Sequence, residues 1–82
     1  LKRPAPVTCL DVQVILSDIM KPKDIERYFT FYKAKGKPLC LVKRTKVWMR
    51  QEDWMRVHGL LKEFGARFSK YEGLWEVPLN KT

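Results

Sequence analysis

Lys46, Trp48 and Arg50 take alternate positions in a short run rich in β-formers, so one face of a strand there would present an indole between two cations. That grouping is suited to holding nucleic acid: cations meet phosphate oxygens, and a ring under a base contributes about 1–3 kcal/mol. Arg67 and Tyr71 form a second alternating pair, which a neighbouring strand could bring alongside. Arg27, Phe31 and Lys35, each four residues apart, give a third strip if the segment is helical. Lys43 and Arg44 read most simply as phosphate contacts. Each ring also has a structural alternative. Trp48 could be a core residue flanked by snorkelling lysines, Phe31 could pack under the N-terminal arm, and Tyr71 could flank a turn with its hydroxyl in water. Periodicity assigns Trp54, Phe64 and Phe68 to the core and leaves Trp75 open.

The charge distribution supports the same chemistry. The formal charge of the 82 residues is +8, and all of the excess lies between Lys21 and Arg50. Ten cations there (Lys21, Lys23, Arg27, Lys33, Lys35, Lys37, Lys43, Arg44, Lys46 and Arg50) face only Asp24 and Glu26, whereas each flank sums to zero. Such segregation raises self-repulsion, and a polyanionic partner is the natural reason to keep it; a charge serving only solubility is normally interspersed in sign.

Other chemistries find few residues to carry them. The sequence shows no nucleophile beside a base, no glycine-rich phosphate loop, and no paired carboxylates beyond Glu52–Asp53, which suit a helix start. A lone histidine, His58, and two cysteines, Cys9 and Cys40, lack metal-ligand spacing. The expectation is a non-enzyme with no cofactor, no metal and no small-molecule substrate. The cysteines read as buried free thiols of a reducing compartment, hence an intracellular protein of the cytoplasm, nucleoid or nucleus. No apolar run approaches the ~20 residues of a membrane helix, so a soluble protein is expected. The chain opens on Leu1 without Met, as an excised piece of a longer protein would.

One domain is all that this length can support. Residues 1–6, with two prolines, read as an extended arm, and 7–82 as a single nucleic-acid-binding domain. Thr8 and Asp11 resemble a capping box ahead of Val12, Ile15, Leu16, Ile19 and Met20, which predicts a helix over 8–20. After Pro22, Asp24 can cap a second helix in which Ile25, Tyr28, Phe29 and Tyr32 share a stripe and Gly36 is the stop. Leu39 to Met49 is predicted as one long strand or a hairpin bent near Arg44–Thr45. Gln51 to Phe64 is a third helix ended by Gly65, and 66–71 with 74–79 form a hairpin around Glu72–Gly73. The fold class is therefore α+β: a small antiparallel sheet packed against two to three helices, in the order α-α-β(β)-α-β-β.

The stretch Leu61-Lys62-Glu63-Phe64-Gly65-Ala66-Arg67-Phe68, continued by Trp75-Glu76-Val77-Pro78, reads LKxxGARF…WxVP. Together with the basic, aromatic middle, it resembles the ThermoDBP-like single-stranded DNA-binding proteins of archaea over residues 38–79. The resemblance implies a helix-and-sheet scaffold other than an OB barrel, and sequence-independent single-strand binding through Lys46–Arg50. Members of that family can carry a coiled-coil dimerisation segment that this sequence lacks, so a homodimer or larger assembly stays open. The partner expected is nucleic acid, single-stranded DNA or RNA ahead of duplex. The competing reading is a protein-interaction module or subunit of a replication or RNA-processing assembly. No membrane partner is expected.

Overall fold

A computed structural model describes residues 4–80. Three helices and four strands follow one another as α1 (Cys9–Leu16), α2 (Pro22–Tyr28), β1 (Phe29–Lys33), β2 (Leu39–Arg44), α3 (Gln51–Glu63), β3 (Arg67–Ser69) and β4 (Leu74–Pro78). The strands make one antiparallel sheet in the order β1-β2-β4-β3. This is the α+β class and the element order read from the sequence, although β1 is formed by residues expected in the second helix.

Local chemistry accounts for the helix ends. Thr8 Oγ1 accepts from the Asp11 N–H at 3.3 Å, and the Asp11 carboxylate accepts from the N–H groups of Val7 and Thr8 at 2.9 and 3.1 Å. The capping box is thus closed with Asp in the third position. α1 stops at Leu16, and turns rather than helix carry the chain through Ile19. α3 ends in a Schellman arrangement: the Gly65 N–H reaches the Lys62 carbonyl, and the Ala66 N–H reaches that of Leu61. Gly65 makes this affordable with φ at +79°.

The second predicted helix is cut short. Tyr28 is its last residue, and Phe29 to Lys33 form β1. Phe29, Thr30, Phe31 and Tyr32 are four strong β-formers in succession, and once paired with β2 they alternate rather than share a stripe. Phe29 is buried and Phe31 half-buried on one face, while Thr30 and Tyr32 are exposed on the other. Gly36 does adopt a positive φ, +72°, but within the β1–β2 turn.

Lys46 to Arg50 is not a strand. β2 ends at Arg44 because Thr45 ties the chain to the end of α2: its N–H donates to the Tyr28 carbonyl and its hydroxyl to that of Arg27, at 2.9 and 2.7 Å. The segment leaves the sheet but keeps an alternation of burial, with Met49 buried, Val47 half-buried, and Lys46, Trp48 and Arg50 exposed. The final hairpin is shorter than predicted, β3 ending at Ser69 and a turn over residues 70–73 closing on Gly73 at φ +65°. Pro78 ends β4, where a missing N–H costs no ladder bond.

All three helices pack on one sheet face. Val12 and Leu16 from α1, Ile25 from α2, and Val57 and Leu61 from α3 form a single core with Phe29, Cys40, Val42, Trp75 and Val77. Trp75, undecided in the sequence, is 1% exposed at its centre. Of the predicted core rings, Trp54 and Phe64 are half-buried and Phe68 is exposed at the rim. Pro6, assigned to the arm, is instead buried, and its carbonyl accepts from the Asn80 N–H at 2.8 Å. Residues 1–3 of the predicted arm lie outside the described residues.

Candidate nucleic-acid interface

Trp48 is 76% exposed, the structural opposite of a core tryptophan. An indole so uncovered leaves a large apolar surface in water, which a monomeric fold gains nothing from displaying. It lies on a groove of about 570 Å³ built by two helices and the links that precede them. Ile19, Met20 and Lys21 form one wall from the α1–α2 link, and Asp24 and Tyr28 come from α2. Trp48 and Arg50 enter from the segment before α3, and Asp53 and Arg56 from its first turns.

The groove carries both signs. Arg50 Nε lies 3.5 Å from Asp53 Oδ2, an i,i+3 pair at the start of α3 with Arg50 exposed and Asp53 half-buried. With those two charges mutually occupied, Lys21 and Arg56 are the remaining cations and Asp24 the remaining carboxylate in the lining. Lys46 and Arg27 are exposed at this same end, since Thr45, next to Lys46, bonds to the Arg27 and Tyr28 carbonyls. Of the residues singled out in the sequence, Trp48 and Arg50 line the groove together, and Lys46 and Arg27 are exposed near it in the backbone without lining it.

The others go elsewhere. The register sets Phe29 against Arg44 at one end of the β1–β2 hairpin and Lys33 against Cys40 at the other. Lys35, expected on a helix with Arg27 and Phe31, stands in the turn at the far end, where Lys33 and Lys37 line a separate depression of about 440 Å³. The strip Arg27–Phe31–Lys35 therefore does not exist, because α2 ends before it forms. Phe31 faces the core side of β1, edge-on to Phe29 at 6.3 Å. Lys43 points to the helix-free face of the sheet, as does Arg67, which pairs in register with Glu76 on β4. Tyr71 is fully exposed but sits in the turn after β3, so it does not alternate with Arg67 on a strand.

Arg44 is neighbour to Lys43 in sequence and opposite to it in facing. Its guanidinium lies 4.8 Å over the Trp54 ring, so a cation–π contact occupies the group read as a phosphate ligand. Trp54 belongs to a packed aromatic set on the core face: 4.3 Å from His58, 5.9 Å from Phe68 and 6.3 Å from Phe29. His58 also meets Trp75 at 4.5 Å. Burial, with Lys62 nearby, holds the His58 imidazole below its ordinary range, so it stays neutral near pH 7. Among the described residues, Arg44 Nε and Trp75 Nε1 are buried in this set without a hydrogen-bond acceptor.

Sequence reasoning missed the groove's opposite wall. Tyr28 was assigned to an apolar stripe, Asp24 to a cap, and Arg56 lies in a segment whose charges cancel. The one usable signal was Asp53-x-x-Arg56 on the first turns of α3, directly after the Trp48 segment. Among the described residues no helix is long and apolar enough to cross a membrane, and no group of three or more His, Cys, Asp or Glu is placed to hold a metal ion. Comparisons of the chain with protein-family models, with curated proteins and with solved structures give no match.

Proposed function

We propose that this domain is a non-enzymatic binder of single-stranded nucleic acid, DNA or RNA, acting inside the cell with limited sequence preference. One base stacks on Trp48, and Lys21, Arg56, Lys46 and Arg27 meet the flanking phosphates. The observation that carries the reading is the 76% exposure of an indole on a groove lined by Lys21, Arg50 and Arg56, in a chain of net charge +8. Stacking suits any base, whereas charge alone would hold duplex equally well. The resemblance to ThermoDBP-like proteins points to the same ligand and to the Lys46–Arg50 segment. A fluorescence titration with dT, rU and duplex oligomers at two salt concentrations tests the reading. Quenching by single strands, weakening steeply with salt, is expected; preference for duplex would select a groove or backbone contact instead.

A protein-interaction role draws on a different observation. Leu10, Val14 and Met55 are exposed apolar residues on α1 and α3. Absence of oligonucleotide binding at ~50 mM salt, where electrostatic attraction is strong, would move these surfaces to the front.

A further inference from the structure

The Trp48 groove contains one feature that backbone binding does not explain. A carboxylate among phosphate ligands repels the strand it is meant to hold. Asp53 is answered by Arg50 at 3.5 Å. Asp24 is not: it lines the same groove, half-buried, and among the described residues no ion pair or side-chain hydrogen bond engages its carboxylate. Its position in the first turn of α2 suits the helix dipole and leaves both oxygens able to accept.

Resting on the single-strand reading, we propose that Asp24 gives this groove a preference for guanine. An ionised carboxylate only accepts hydrogen bonds, so it discriminates bases by the donors they offer. In a single strand the Watson–Crick edge is free to be read. Guanine alone presents two parallel donors there, N1–H and the N2 amino group, which match the two oxygens of a carboxylate in a bidentate, charge-assisted pair. Cytosine and adenine offer an amino group beside an acceptor nitrogen. Thymine and uracil offer one N–H between two carbonyl oxygens, which repel the carboxylate. Trp48 supplies the stacking surface for the same base, and Lys21 and Arg56 offset the repulsion between Asp24 and the phosphates. The net charge of +8 argues against a cationic ligand for this carboxylate.

The test uses the full chain and a short oligo-dT carrying one central guanine, with the same strand carrying hypoxanthine or thymine there as controls. Hypoxanthine lacks only the N2 amino group, so this comparison needs no altered protein. Guanine should bind about tenfold tighter than thymine, with hypoxanthine falling short of guanine by several-fold. In Asp24→Ala, folded by circular dichroism, the three strands should converge. Equal affinities in the wild-type chain, or a guanine preference that survives Asp24→Ala, would overturn the assignment while leaving single-strand binding intact. Failure of every strand to quench tryptophan fluorescence would overturn both. A parallel titration with GMP separates sources of the base: binding as tight as the oligonucleotide's would support guanine recognition and replace the strand with a free nucleotide as ligand.

Discussion

Trp48→Ala should separate binding from folding in this domain. The ring is 76% exposed, so its removal takes little apolar surface out of the folded core. Surface changes away from caps and buried networks stay within about 0.5 kcal/mol. For a domain of 60–100 residues, about 1 kcal/mol corresponds to 4–8 °C in Tm, so a shift of no more than about 4 °C is expected. Binding should respond very differently. A stacked aromatic contributes about 1–3 kcal/mol per base, which is a weakening of roughly 5- to 150-fold for an oligonucleotide. The salt dependence should barely change, because the ring contacts no phosphate. With three to four cations engaged on a single strand, log K should fall against log salt with a slope of about −2 to −3 in both proteins. The assay is a competition titration by anisotropy of a labelled oligo-dT, run beside thermal unfolding of the same samples. An unchanged affinity would remove Trp48 from the interface. A drop in Tm beyond about 8 °C would show instead that the indole is a packing residue, and the reasoning from its exposure would fail.

Other outcomes follow from the rest of the structure. Thr8→Ala removes the acceptor that closes the capping box of α1, and thermal unfolding should register a loss of about 0.5–2 kcal/mol. His58 has its pKa held below 6.5 in the folded state by burial, so the neutral form is the one that folding favours. The stability it contributes is fully present above 6.5 and is lost as pH falls from there through the folded value. Urea unfolding across that window should show the decline in the wild-type chain and a flatter profile in His58→Gln. Cys40 is completely buried, and burial beside Cys9 pushes its thiol far above the ordinary range. A thiol-reactive dye should therefore label Cys9 rapidly and Cys40 only on unfolding; two equally fast sites would contradict the packing of α1 over β2.

Much of the fold was legible from chain-local chemistry. Thr8 with Asp11, and Gly65 after Phe64, mark helix ends because the hydrogen bonds that close them span only a few residues. The exposed alternation of Lys46, Trp48 and Arg50 was readable too, since the inward partners Val47 and Met49 have only one apolar direction to face. What failed was the element type where two periods compete. Ile25, Tyr28, Phe29 and Tyr32 fit a helical stripe, yet Phe29 and Phe31 could pair with β2 only after the chain had turned at Gly36. Arg44 and Lys43 were indistinguishable as charges, and the pleat alone sent one under Trp54 and the other to the open face.

The amino-acid sequence alone determined the α+β class, the start of α1 and the end of α3, the segregation of positive charge and the presence of a tryptophan flanked by cations. These rest on interactions between near neighbours or on sums over residues, which need no third dimension. Tertiary structure alone decided which charges share a surface. The β1–β2 hairpin carries Lys33, Lys35 and Lys37 away from the groove, while Thr45 and the start of α3 bring Lys21, Asp24, Tyr28 and Arg56 to Trp48. Convergence of that kind depends on strand register and helix docking, set by the burial of Phe29, Val42, Val57 and Trp75 in one core.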